Sequence, residues 1–76
     1  MKVIDQTLDA RGMHTPMPLL RTMRAMDEMH EGDVLMLVTT EPRAAQSVEA
    51  FCRESGNVLM EEVDWEDEFT FLIRKA

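Results

Sequence analysis

Two prolines one residue apart, Pro16 and Pro18, fix where the first helix of this chain can begin. Inside a helix a proline removes a hydrogen bond and clashes with the preceding turn. In the first turn it costs little, because the N–H groups there have no helical partner. The residue before a proline is held extended, as a helix cap is, and proline suits the first helical position. Thr15-Pro16 is therefore expected to be a cap and helix start, with the Thr15 hydroxyl among free backbone donors at the positive end of the helix dipole. An anion would be stabilised there, and a cysteine would have its thiolate favoured.

From Pro16 onward Leu19, Leu20, Met23, Met26 and Met29 recur at helical spacing between Arg21, Arg24, Asp27 and Glu28. This spacing predicts an amphipathic helix ending near Gly32. Ahead of it, Val3 to Asp9 reads as a short strand and the Gly12 region as a loop. Val34 to Thr39 is an unbroken apolar run, short enough for a strand in a sheet interior. A second helix is expected from Pro42 to about Ser55, with Ala45, Val48, Phe51, Cys52 and Ser55 on one face and Gly56 at its stop. Val58 to Val63 and Glu68 to Arg74 read as two further strands joined through Trp65 to Asp67 in an antiparallel hairpin. The order implies an α+β fold, a two-layer β-α-β-α-β-β sandwich. Right-handed crossovers would put both helices on one face of a four-stranded mixed sheet. Seventy-six residues suffice for one domain, 1–76, and no more.

Several function classes are disfavoured by composition. A net charge of −7 argues against direct nucleic-acid binding, which draws its affinity from many Lys and Arg contacts to phosphates. No apolar run approaches the roughly 20 residues needed to cross a bilayer. The start, Met1-Lys2-Val3-Ile4-Asp5, lacks the pattern of a secretory signal, so a cytoplasmic location is expected. The single cysteine, Cys52, cannot form an internal disulfide. The charge is uneven: Glu61, Glu62, Asp64, Glu66, Asp67 and Glu68 crowd one end, while Arg11, Arg21 and Arg24 surround Gly12 to Pro18. That basic neighbourhood could attract an anionic group or an acidic partner surface, or simply be solvated.

The stretch Leu8-Asp9-Ala10-Arg11-Gly12-Met13-His14-Thr15-Pro16-Met17-Pro18-Leu19 resembles the signature of the TusA/SirA/YedF family of small sulfur carriers, roughly Leu-Asp-x-x-Gly-Leu-x-Cys-Pro-x-Pro. Gly32-Asp33, Glu41-Pro42, Phe51-Cys52 and Leu72-Ile73-Arg74-Lys75 also resemble family positions, so the likeness spans essentially the whole chain. The resemblance implies the same two-layer sandwich. It also implies that a motif cysteine accepts sulfur as a persulfide from a cysteine desulfurase or rhodanese and passes it to a downstream acceptor. Processes fed in this way include tRNA thiolation, molybdenum-cofactor maturation and oxidation of sulfur compounds. Here Thr15 stands at the cysteine position, and a hydroxyl cannot carry sulfane sulfur by thiol exchange. Thr15 is thus an engineered replacement in a normal carrier, the mark of a natural paralogue without the chemistry, or a cap with the chemistry moved to Cys52. The binding surface carried over from the family is Arg11, Gly12, Met13, His14, Pro16, Met17 and Pro18.

The other candidates have plainer explanations. A Thr15-His14 nucleophile lacks an acid to orient the imidazole, and neighbours in sequence seldom form such a pair, which leaves His14 a solvent-facing loop residue. Cys52, on an apolar stripe, reads as a packing residue. Met13, Met17 and His14 have the donor types for Cu(I). Methionines also fill cores, and Met13 with Met17 could form an apolar rim where a partner docks, so neither metal nor organic cofactor is expected. The leading function is a non-catalytic, partner-binding or regulatory protein on a sulfur-carrier scaffold, a monomer or weak homodimer. The rivals are a true sulfurtransferase with its cysteine replaced or relocated to Cys52, and a small accessory subunit, for instance a homodimer paired through the apolar second strand.

Overall fold

The strand Val34–Thr39 (β2) is apolar at nearly every position because it is interior to its sheet, flanked on both sides by other strands. The computed structural model describes residues 3–76. Met1 and Lys2, on which the expectation about the chain's start partly rests, lie outside the described residues. Around β2 the elements are β1 (Gln6–Ala10), α1 (Met17–Asp27), α2 (Ala44–Ser55), β3 (Val58–Trp65) and β4 (Glu68–Arg74). Strand order is β1-β2-β4-β3, with β1 parallel to β2 and β4 antiparallel to both β2 and β3. The fold is α+β: a four-stranded mixed sheet with two helices. Both crossovers, β1-α1-β2 and β2-α2-β3, step the same way across the sheet, so right-handedness sends α1 and α2 to the same face. There the helices pack on the sheet and against each other.

Pairing Leu35 with Ile73 and Leu37 with Phe71 sets one apolar row from each central strand under the helices. Val48 from α2 and Met26 from α1 close over them, and all six side chains are fully buried. Burying each contributes about 1.5–3 kcal/mol. α2 ends as expected, on Gly56 in the left-handed conformation, whose N–H donates to the Cys52 carbonyl.

Four boundaries differ from the expected ones. β1 spans Gln6 to Ala10 instead of starting at Val3, which is exposed. α1 stops at Asp27, not near Gly32, because the Asp33 carboxylate accepts from the His30 N–H and the Asp33 N–H donates to the His30 carbonyl, a turn that replaces helix. α2 begins at Ala44, since Pro42 and Arg43 lie in a turn closed by the Ala44 N–H on the Glu41 carbonyl. β3 runs to Trp65, so the hairpin loop is two residues, Glu66 and Asp67, both at positive φ. That is the backbone of a type I′ turn.

The buried face of α1 also departs from the periodicity. Pro18, Thr22, Ala25 and Met26 face the sheet, while Leu20, expected in the core, is 49% exposed and Met17 and Met23 are 40% exposed. Thr22 can be buried because its hydroxyl donates to the Pro18 carbonyl at 2.7 Å, so no polar group is left without a partner. Its small size, with that of Ala25, lets the helix sit close to the sheet.

Candidate functional site

The parallel strands β1 and β2 end side by side, Ala10 beside Thr39, so the segments that leave them meet at one edge of the molecule. The first is the Arg11 to Pro18 loop into α1, and the second is Thr40-Glu41 before α2. Two bonds shape the first: the Met13 N–H donates to the Ala10 carbonyl at 3.2 Å, and the Gly12 N–H donates to Thr40 Oγ1 at 2.9 Å. Gly12 has φ of 80°, a region that costs a residue with a Cβ about 1–2 kcal/mol. This is the physical requirement for glycine in the motif.

Thr40 and Glu41 lie against the candidate loop, and sequence reasoning missed that they do. The Glu41 side chain, largely buried, lies 3.8 Å from His14 Nδ1, while His14 itself is almost fully exposed. The signal was available in principle, because parallel neighbours bring the residues after both strands to the same end of a sheet. It required the register, which a single sequence does not print.

The structure corrects two expectations about Thr15. A turn closed by the Met17 N–H on the His14 carbonyl carries the chain through Thr15 and Pro16, whose shared peptide bond is cis. The helix cap is Pro16, and no side chain makes a capping hydrogen bond. Thr15 is exposed and lies one residue outside the cap, so it does not fill the orphan donors as expected. Those donors are few. Pro16 and Pro18 have no N–H, Met17 spends its own on His14, and Leu20 makes the first helical bond to Pro16, which leaves Leu19. The dipole's positive end is present at Thr15, but the cluster of free N–H groups that would clasp an anion is thinned by the two prolines.

Arg11 is already paired with carboxylates of its own chain. Its Nε and Nη2 donate to the two carboxylate oxygens of Asp9 at 3.0 and 2.9 Å, its backbone N–H adds a third bond to Asp9, and Nη1 lies 3.7 Å from Glu68. The bonds from Arg11 hold the Asp9 carboxyl down at about 2, and the two carboxylates push Arg11 upward. A guanidinium committed to two carboxylates has little charge left for a third group. Arg11 instead fastens the start of the loop to the sheet.

Of the remaining candidates, His14, Pro16 and Met17 are exposed beside Thr15, Met13 is half-buried against the core, and Pro18 is buried. The site is an exposed surface continued along α1 by Leu20, Met23, Arg21 and Arg24. Cys52 is elsewhere, on the buried stripe of α2 with Ala44 and Val48, and burial pushes its thiol upward, away from thiolate. Among the described residues no group of three or more His, Cys, Asp or Glu side chains is placed to hold a metal ion, and no helix is long and apolar enough to cross a membrane.

A family model described as Sulfurtransferase TusA matches residues 6–75. The chain is 38% identical over 76 residues to the sulfur carrier protein TusA of Allochromatium vinosum, covering all of both chains. It is 38% identical over 69 residues to a putative sulfur carrier protein of Neisseria meningitidis, covering 91% of this chain and 93% of that one. With the putative sulfur carrier protein YrkI of Bacillus subtilis it shares 37% identity over 72 residues, covering 95% and 96% respectively.

Proposed function

Because the chain belongs to the TusA sulfurtransferase family, whose relatives here are named as sulfur carriers, we propose that it is a single-domain, non-catalytic member that binds protein partners of a cytoplasmic sulfur relay. The observation that carries this is Thr15, standing before the Pro-x-Pro of a loop held in place by Thr40 and Asp9. Sulfur relay needs a thiolate that attacks the terminal sulfur of a donor persulfide, takes that sulfur, and releases the donor thiolate. A threonine hydroxyl stays protonated at neutral pH and forms no persulfide. What the loop keeps is shape: exposed His14, Thr15, Pro16 and Met17 on a backbone fastened by Gly12, with Arg11, Met13 and Pro18 as its supports. Such a surface can engage a cysteine desulfurase, a rhodanese or a downstream acceptor and compete with true carriers for it.

The test uses the protein with a cysteine desulfurase and cysteine. Intact mass should show no sulfur-sized increment that a reductant removes, and the protein should slow sulfur transfer from that desulfurase to a cysteine-bearing carrier. Thr15→Cys should acquire the increment. A reducible increment on the unaltered protein that disappears in Cys52→Ser would move the activity to Cys52 and overturn the proposal.

A further inference from the structure

Eight of the 76 residues are methionine, and they are unevenly placed. Met26 and Met29 are buried in the core, and Met13, Met36 and Met60 are half-buried. Of the methionines among the described residues, only Met17 and Met23 are exposed, each at 40%, and both are on the outer side of α1. Each is three residues from Leu20, itself 49% exposed, and residues three apart are neighbours on a helix surface. Met17, Leu20 and Met23 therefore form one apolar ridge. It starts two residues after Thr15, runs along the helix and is bordered by exposed Arg21 and Arg24. The candidate surface thus carries the two thioethers that solvent reaches best.

We propose that Met17 and Met23 are a modification site for peroxides, and that their oxidation to sulfoxide releases partners from the loop and α1. Docking itself is the reading proposed above, on which this control rests. In the step, a thioether lone pair attacks one oxygen of hydrogen peroxide, the O–O bond breaks and an S–O bond forms. The hydroxide released takes the proton from the new sulfur-bound hydroxyl and departs as water. Sulfur loses two electrons and the peroxide oxygens gain them. The product is a polar, hydrogen-bond-accepting group in place of a flexible apolar one. A partner covering the ridge would then bury an oxygen with no donor opposite it, the costly case for a polar group. Exposure also makes the site selective. Met26 and Met29 are reached only by opening the core, so Met17 and Met23 can be oxidised while the fold stands. Cys52 does not compete for peroxide as a thiolate would, since burial pushes its thiol upward. The change is reversible, because methionine sulfoxide reductases return the thioether.

Limiting hydrogen peroxide, quenched at intervals and followed by peptide mass mapping, tests the site. Met17 and Met23 should each gain one oxygen several-fold faster than Met13, Met36 and Met60 and well ahead of Met26 and Met29, with circular dichroism unchanged. After removal of the oxidant, affinity for a cysteine desulfurase tests the control. It should fall about tenfold or more in the oxidised protein and return after treatment with methionine sulfoxide reductases. In Met17→Leu/Met23→Leu the affinity, whatever its starting value, should be the same before and after peroxide. Met17 and Met23 reacting no faster than the half-buried methionines overturns the site. Equal affinity of the reduced and oxidised protein, or the same loss in the double variant, overturns the control. A reduced protein with no affinity for the desulfurase is a different result: it removes the proposed function and the control with it, while the order of oxidation still decides the site.

Discussion

At the scale of single residues, the difference between threonine and cysteine at position 15 is one of chemistry far more than of structure. Thr15 is exposed, outside the helix cap, and makes no capping hydrogen bond. Thr15→Ala should therefore change unfolding free energy by less than about 0.5 kcal/mol, the ordinary scale for a surface site. A true cap would cost about 1 kcal/mol. Chemical denaturation separates the two, and a loss of 1 kcal/mol or more would return the hydroxyl to a capping role. Arg11 carries the opposite lesson. The sequence shows a cation four residues before Thr15, and the structure commits it to Asp9 and Glu68. A cysteine at position 15 would then owe its thiolate to the helix dipole, with little from Arg11.

Among elements, the β3–β4 hairpin holds the clearest stored cost. Glu66 and Asp67 sit at φ of 48° and 65°, where side chains other than those of glycine, asparagine and aspartate are disfavoured. Replacing the pair by Asn-Gly, the preferred residues of a type I′ turn, should stabilise the domain by about 1 kcal/mol, a rise of about 4–8 °C in Tm for a chain of this size. An unchanged or lower Tm would show that the turn is not strained as its dihedrals say. The same elements show what the sequence could disclose. β2, β4 and α2 were legible because each buries a regular apolar pattern that local period alone identifies. The buried face of α1 was not, since Thr22 looks polar until its hydroxyl is seen on the Pro18 carbonyl, and Leu20 and Met23 look like core until the helix is placed. In the site, the Gly12 to Pro18 segment was legible as a motif. Its contacts with Thr40 and Glu41 were not, because a distance of over 25 residues is closed only by the β1–β2 register.

For the whole molecule the governing quantity is a net charge of −7 on 76 residues, gathered toward the hairpin end. Two electrostatic effects compete, and the Debye length tells them apart. The Asp9–Arg11 pair, at 2.9 Å, lies well inside the screening length at any ordinary salt concentration. Repulsion among the excess carboxylates acts over the span of the molecule, whose longest extent is 29 Å. At 0.01 M salt the Debye length is about 30 Å and every charge feels every other, whereas at 0.1 M it is about 10 Å and only neighbours interact. Self-repulsion destabilises a compact state, so raising salt from 0.01 to 0.1 M at pH 7 should raise Tm by a few degrees. Protein concentration must be held low and fixed, since dimerisation would shift Tm by mass action. Glu31→Lys, at an exposed turn between α1 and β2, lowers the excess by two charges and supplies the control. Its Tm should exceed that of the parent at 0.01 M, and the difference should shrink at 0.1 M. A Tm that does not rise with salt would mean that the long-range repulsion is too weak to count beside short-range pairs such as Asp9 with Arg11, and that the acidic excess is tolerated at no cost to the fold.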